Sequence, residues 1–288
     1  MPLWETADWP LPLWLTLATL LGLVIGSFLN VVIYRLPLML RREWGEEHLP
    51  ELTLSWPGSH CPSCQAPVRW WQNLPLISWL LLRGRCASCA TPISRLYPLV
   101  ELTAALLSLL LAWRYGMNLQ TLALMGFAWT LLALAVIDTQ TRLLPDRLTL
   151  PLLWTGLTWH WLFSSEALFN QAFLGAIIGY LSLWSLYWLF KLLTGREGMG
   201  YGDFKLLAAL GAWLGAPALL PVILLSSVSG LLVALVLKLR AEWQGQALPF
   251  GPHLVIAALL LLVGGRELTS LAFLDDWLLI TNWAFILP

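Results

Sequence analysis

The sequence predicts an all-α polytopic membrane protein with about eight transmembrane helices and a small polar domain between the first and second of them. Hydrophobic side chains make up 59% of the 288 residues and charged ones only 11%, with a mean hydropathy of +0.74, which is unusual for a soluble domain. Several apolar runs have the roughly 17–25 residues that a helix needs to cross about 30 Å of hydrocarbon. The 19 tryptophans support a membrane location, because indole rings favour the headgroup level.

Eight apolar runs are candidate spans, and they follow one another along most of the chain. They cover residues 11–34, 97–113, 118–137, 148–163, 168–192, 204–215, 217–237 and 251–264. The run 204–215 is short, and Gly211, Gly215 and Pro217 predict a turn that separates it from the next run.

These runs divide the chain into four expected parts. They are an N-terminal transmembrane helix at 1–34, a four-cysteine domain at 35–95, a seven-helix membrane domain at 96–264 and a C-terminal tail at 265–288. The first run is too long for a signal-peptide core and follows no basic segment, so we expect a retained span. The tail is apolar but carries Asp275 and Asp276, which favours an interfacial helix over a ninth span.

Lys and Arg are distributed asymmetrically over the loops, which indicates the orientation of the chain in the membrane. If the N-terminus lies outside, all of the 16 basic residues except Arg114 and Arg266 fall on the inner side. The four-cysteine domain and the loops 138–147 and 193–203 are therefore predicted to face the cytoplasm together. The formal net charge of zero gives a nucleic-acid partner no electrostatic support, whereas membrane lipid is an expected contact.

All four cysteines lie in the polar domain as two Cys-x-x-Cys pairs, Cys61 with Cys64 and Cys86 with Cys89. This spacing is typical of a zinc site in which each pair gives two thiolates to one tetrahedral ion. Two disulfides or free thiols are the alternatives, and a reducing cytoplasmic location favours zinc. Four sulfurs leave no open coordination position for a reacting water, so the predicted zinc is structural.

Two aspartates stand at the ends of apolar runs on the predicted cytoplasmic side. Asp138 directly follows the run 131–137, and Asp203 precedes the run 206–210. Two carboxylates brought together at the bilayer edge would share one proton, because neither charge is well solvated there. Such a pair can hydrolyse a peptide bond, since one carboxylate takes a proton from water while its protonated partner polarises the carbonyl. The alternative is a solvated loop acid or a helix cap, which we favour for Asp146 at the start of the following helix.

The residues around Asp203 predict a place for a substrate. Gly198, Gly200 and Gly202 leave the main chain uncovered, so an extended peptide could pair with it as a strand does, although a flexible loop has the same composition. We expect Gly200, Gly202 and Lys205 to contact the substrate. Lys205 could instead stabilise the charge of the Asp203 carboxylate or extend toward lipid phosphates, and of these two we favour the extension.

Four segments of the sequence resemble the type IV prepilin leader peptidases, and they occur in the same order across nearly the whole chain. They are GSFLNVVIYRLP at 26–37, the Cys-x-x-Cys pairs around NLPLISWLLLRGRC at 73–86, Asp138 followed by LPDRLT, and GMGYGDFKLLAALGAWLG at 198–215. The Gly-x-Gly-Asp element alone is moderately specific. Its combination with the cysteine pairs is highly specific.

The resemblance implies an intramembrane aspartyl protease with Asp138 and Asp203 as its catalytic residues. Its substrates would be prepilins, or the pseudopilins of type II secretion, cut at a Gly-Phe bond on the cytoplasmic face of the bacterial inner membrane. Family members with the cysteine domain also methylate the new N-terminus with S-adenosylmethionine. No fingerprint for that methyl donor is evident in the sequence, and Gly84, Arg85 and Glu101 are candidates only because they lie near the cysteines.

Two other classes of protein would use the same features differently. A cation or proton-coupled transporter would place carboxylates nearer the midplane and show two related halves, which this sequence does not display. A non-catalytic scaffold for a secretion or pilus machine would bind a pilin without cutting it. Both aspartates would then be dispensable.

Overall fold

The computed structural model describes residues 10–46, 48, 51–196, 198–240 and 248–271, with side chains in the last range described only as far as residue 264. Within those ranges the chain forms nine α-helices and no strand, which confirms the all-α prediction. The helices are α1 (Leu11–Glu43), α2 (Ile77–Leu81), α3 (Leu96–Tyr115), α4 (Leu119–Thr141), α5 (Asp146–Phe163), α6 (Glu166–Thr194), α7 (Tyr201–Leu214), α8 (Leu219–Leu239) and α9 (Gly251–Leu271).

Each of the eight apolar runs is helical, and five helices of the described chain are long and apolar enough to cross a membrane. These five are α1, α3, α4, α6 and α8 with the short 3₁₀ turn before it. The chain is therefore a multi-pass membrane protein. Helix α7 has 14 residues and a length of about 21 Å, less than the hydrocarbon thickness, and it ends at the predicted glycine turn, where Gly215 has φ +81°.

Helix α1 continues past the predicted boundary at residue 34 and ends only at Glu43. Arg35 lies in this extension, where its side chain is buried and donates hydrogen bonds to the carbonyl oxygens of Thr53 and Pro57. These bonds hold the following polar segment against the last turns of the helix. The polar domain thus begins inside a helix, which hydropathy alone does not reveal.

The first compact unit ends at Ala133, and the packed pair of α1 and α3 forms much of it. Trp14 donates a hydrogen bond to the carbonyl oxygen of Ala112, and Asn30 donates one to the carbonyl oxygen of Tyr97. Because the residue numbers run in opposite directions along the contact, the two helices are antiparallel. This register also fixes the height of each α3 residue relative to α1.

The second compact unit comprises the rest of the described chain, and α7 is buried within it. Every residue from Leu206 to Leu214 is buried, as expected for a helix that is apolar on all sides. Helix α6 packs so closely against α7 that the main chains of Gly175 and Gly211 touch. On the α5 side, the indole of Trp213 donates a hydrogen bond of 2.8 Å to the carbonyl oxygen of Leu152.

Helix α9 begins at Gly251 and is described as far as Leu271. The interfacial helix predicted for the tail at 265–288 therefore falls largely outside the described residues. The amino end of α9 matters more for the site, since it lies against the end of α4.

Candidate active site and cysteine cluster

Asp138 lies in the last turn of α4, where the apolar run of that helix ends. Its side chain is only 5% exposed, and its Oδ2 atom accepts a hydrogen bond of 3.0 Å from the main-chain amide of Gly251. Gly251 is the first residue of α9. The carboxylate therefore faces the positive end of a helix dipole, which stabilises negative charge.

Asp203 lies in the first turn of α7 and is 7% exposed. Its carboxylate forms a hydrogen bond with the main chain of Gly200, the residue just before the helix. Gly200 is extended, with φ −82° and ψ 149°. Each aspartate is thus bound by the main chain of one glycine.

The structure brings Asp138 and Asp203 close enough for their charges to interact. Leu144 contacts the backbone beside both carboxylates. A Cβ atom on Gly202 would lie 2.7 Å from the Cβ of Leu144, and one on Gly251 would lie 3.3 Å from its Cδ2. Three separate segments, the end of α4 with its loop, the start of α7 and the start of α9, therefore converge on one site.

The glycines before Asp203 differ in their surroundings. Gly198 is covered by the ring of Phe190, and Gly202 is covered by Leu144. At Gly200, an added Cβ would find only Asp203 Oδ2 at 3.6 Å and the amide of Gly202 at 4.0 Å among the described atoms. The open main chain predicted for this segment is therefore found at Gly200, whereas the other two glycines serve close packing.

Lys205 forms an ion pair with Asp146, and its Nζ lies 2.7 and 2.8 Å from the two carboxylate oxygens. This contact is neither the link to Asp203 nor the free extension toward lipid that the sequence allowed. Asp146 is the first residue of α5, in agreement with its expected place in a first turn. The pair ties the first turn of α5 to the second turn of α7.

The four cysteines form one cluster, in which all Sγ atoms lie within 4.8 Å of one another. The separation is 3.8 Å between Cys61 and Cys89 and 4.0 Å between Cys64 and Cys86. Sulfurs on a tetrahedral zinc with bonds of about 2.3 Å stand about 3.8 Å apart. The cluster therefore fits one zinc ion, and its four cysteines are not paired as disulfides.

The two cysteine pairs adopt the same turn. In each, the first cysteine amide donates to a carbonyl five residues ahead, at 2.9 Å to Ala66 and at 2.8 Å to Thr91. The residue after the second cysteine has a positive φ in both, 58° at Gln65 and 58° at Ala90. Such turns point main-chain amides and both sulfurs inward, as a metal knuckle requires.

Sequence reasoning missed Gly251 and Leu144 as parts of the site around the two aspartates. A local signal was present for Gly251, since Gly-Pro before an apolar run marks the start of a helix. Of the residues suggested near the methyl donor, Gly84 lies under the ring of Trp79, and Glu101 accepts a hydrogen bond from the amide of Leu76. Their part in methyl transfer stays a prediction.

Two family models match the chain. Residues 20–115 match the bacterial peptidase A24 N-terminal domain, and residues 125–235 match the type IV leader peptidase family. The first match covers the cysteine cluster, and the second covers both aspartates. No solved structure gives a significant match.

Several relatives are similar over most of the chain, and each is named prepilin leader peptidase/N-methyltransferase. The protein from Pseudomonas putida is 50% identical over 279 residues, which is 93% of this chain and 96% of the relative. The protein from Pseudomonas aeruginosa is 49% identical over 271 residues, or 90% and 93%. The protein from Neisseria gonorrhoeae is 47% identical over 258 residues, or 85% and 89%.

Proposed function

Because the chain belongs to the type IV leader peptidase family and is an enzyme of the prepilin leader peptidase/N-methyltransferase kind, we propose that Asp138 and Asp203 are its proteolytic pair. They would cut the basic leader from a prepilin, or from a type II secretion pseudopilin, at a Gly-Phe bond. The observation that carries this proposal is the meeting of two buried carboxylates from separate helices, each bound to one glycine main chain.

The chemistry follows from one proton shared by the two carboxyl groups. The ionised carboxylate takes a proton from a water molecule, whose oxygen attacks the peptide carbonyl carbon. The protonated partner gives its proton to the carbonyl oxygen, so that a neutral tetrahedral intermediate forms. This intermediate collapses when the carboxyl group that took the water proton gives it to the peptide nitrogen. The other carboxylate removes a proton from a hydroxyl of the intermediate, and the C–N bond breaks. Both carboxyl groups must reach one water, and the convergence of their segments around Leu144 supports this arrangement.

Substrate positioning is assigned to the start of α7. An extended peptide can pair with the main chain of Gly200, whose extended angles suit strand-like hydrogen bonds. Gly202 would contact the peptide through its main chain, although Leu144 covers its side-chain position. Lys205 is partly exposed beside them, and its charge would favour the carbonyl groups of the bound peptide.

The second activity is transfer of a methyl group to the amine that cleavage exposes. It is proposed from the names of the relatives, which include an N-methyltransferase. S-adenosylmethionine would supply the methyl group. The zinc that fits Cys61, Cys64, Cys86 and Cys89 would hold the two knuckles together without taking part in either reaction.

The proposed location is the bacterial inner membrane, with the N-terminus in the periplasm. The asymmetry of Lys and Arg supports this orientation. In this orientation the cysteine domain and both aspartates would lie on the cytoplasmic side. A prepilin leader is basic and remains in the cytoplasm, so the cut would occur where the leader is. No feature of the described site favours a transporter instead.

The test is cleavage of a purified prepilin in lipid nanodiscs by the wild type, Asp138→Asn and Asp203→Asn. Each variant should lose at least about 100-fold in rate, because it removes one member of the acid–base pair. Glu166→Gln is the matched control, since Glu166 is an exposed acid in the first turn of α6. Full activity in either aspartate variant, with unfolding temperatures unchanged, would remove the pair from the mechanism. Binding without cleavage by the wild type would support the scaffold.

A further inference from the structure

A buried carboxylate on α3, which packs against α1, binds the loop between the two Cys-x-x-Cys pairs. Glu101 of α3 is 7% exposed, and its Oε2 atom accepts a hydrogen bond of 2.9 Å from the main-chain amide of Leu76. Its side chain also bonds Ser27 of α1. Leu76 directly precedes α2, so this bond fixes where the short helix begins.

The length of α3 gives the depth of that bond. The helix has 20 residues and is about 30 Å long, so it needs nearly its whole length to cross the hydrocarbon. Glu101 comes five residues after the first residue, Leu96, which places it about 7 Å along the axis. Because helix side chains tilt toward the helix N-terminus, the Glu101 carboxylate and the amide of Leu76 lie between that level and the start of α3, in the outer part of the expected span. At that depth a main-chain amide requires a protein acceptor, which Glu101 provides.

The helix that starts at this depth presents large apolar side chains outward. The exposed fraction is 55% for Ile77, 66% for Leu80 and 70% for Leu81. Trp70, at the other end of the same loop, is 80% exposed. Such a cluster is unfavourable in water, whereas it matches the acyl chains and the interfacial zone found at this level.

Positive charges frame the apolar cluster. Arg69 comes just before Trp70, Arg83 and Arg85 follow α2, and all three are exposed. Arginines beside tryptophan and leucine are the pattern of a segment that lies in the membrane interface, with guanidinium groups at the lipid phosphates. The charge pattern is thus complementary to an anionic membrane surface.

We propose that residues 69–85 form a membrane-seated hairpin, in which Ile77, Leu80 and Leu81 contact acyl chains and the flanking arginines contact anionic headgroups. Under this proposal, one part of the polar domain contacts lipid as well as water. The hairpin also positions the metal knuckles. Trp79 of α2 covers Gly84, and the carbonyl oxygen of Gly84 accepts a hydrogen bond from the amide of Ile93, beyond the second cysteine pair. The cysteine cluster is therefore held at the membrane surface.

The proposal is tested with a fluorescent amino acid introduced at one position of the full-length protein in nanodiscs. Residue 80 is the test position, and residue 87 is the control, since Ala87 is an exposed residue inside the second cysteine pair. Lipids with a nitroxide on the acyl chain should quench the label at residue 80 at least twofold more than at residue 87. Aqueous iodide should show the opposite order.

Three outcomes would overturn the proposal. Iodide could quench residue 80 as strongly as residue 87, which would place α2 in water. Both quenchers could fail at residue 80, which would show that protein covers α2. Finally, nitroxide quenching at residue 80 could be the same with and without Arg83→Gln and Arg85→Gln in phosphatidylglycerol discs, which would leave the arginines no part in seating the hairpin. Bound metal, measured in each labelled protein, shows that the knuckles are intact.

Discussion

The main-chain amide of Gly251 donates a 3.0 Å hydrogen bond to Oδ2 of Asp138, and a Cβ atom at residue 251 would lie 2.6 Å from the same oxygen. The first residue of α9 therefore binds a carboxylate of α4. Only glycine leaves room for both the bond and the carboxylate. This links the amino end of α9 to the proposed chemistry.

Replacing Gly251 with alanine is expected to lower the rate of prepilin cleavage by at least about tenfold. The added methyl group must displace either the Asp138 carboxylate or the start of α9, and small misplacements at a reacting centre are costly. The measurement is kcat at saturating prepilin in nanodiscs.

Gly230→Ala is the control for this substitution, because the nearest described atom to a Cβ there belongs to the His253 ring, at an ordinary 3.6 Å. It should leave kcat within about twofold of the wild type. An unchanged kcat in Gly251→Ala would mean that the Asp138 carboxylate is not held by the amide during the reaction.

The ion pair between Lys205 and Asp146 separates two roles for the lysine. The Lys205 side chain is 29% exposed and that of Asp146 is 53% exposed, so the pair is expected to stabilise the fold by less than about 1 kcal/mol. Lys205→Ala should nevertheless raise KM for prepilin several-fold, because the proposed substrate contact is lost. Asp146→Asn, which keeps the lysine, should change KM little. Equal effects on KM in the two variants would reduce Lys205 to a link between α5 and α7.

Helix packing gives a prediction about stability. A Cβ atom at Gly211 would overlap the main-chain carbonyl of Gly175, which cannot move without shifting α6. Gly211→Ala is therefore expected to lower the free energy of unfolding by about 1–3 kcal/mol, the usual cost of overpacking. Reversible unfolding in mixed micelles measures this difference.

Gly126→Ala is the matched change for that experiment. Gly126 also lies in a helix, and no described atom lies within 4 Å of an added Cβ. This variant should unfold at the same denaturant concentration as the wild type or slightly higher, since alanine favours helix. If both alanine variants unfolded alike, the close contact of α6 and α7 would not limit stability.

The helices and the two aspartates could be predicted because their signals are local. An apolar run has a length, and Asp138 and Asp203 each interrupt one at its end. The end of α1 at Glu43 could not be predicted in this way, since the helix continues past its apolar run, where Arg35 is buried and bonded to carbonyl groups 18 and 22 residues further on.

The partners of the two aspartates were beyond sequence reasoning for the same reason. Gly251 is 113 residues from Asp138, and no periodic pattern connects them. Hydropathy does not predict the hydrogen bond from Leu76 to Glu101 either, because a carboxylate in a membrane helix gives no indication of which amide will bind it. The long-range hydrogen bonds of this protein could therefore be identified only from its three-dimensional structure.

The cysteine cluster predicts one zinc ion per chain in protein prepared under reducing conditions. Metal analysis should show that Cys61→Ser lowers this content strongly, because a hydroxyl is a poor replacement for a thiolate. Ser63→Ala is the control within the same turn, since Ser63 lies between the two cysteines and is exposed. The control should keep its zinc.

A chelator should also lower the unfolding temperature of the wild type and leave that of Cys61→Ser unchanged, because metal binding to the native cluster stabilises only the folded state. Metal-free wild type with the same unfolding temperature would show instead that the two knuckles hold their shape through their own hydrogen bonds.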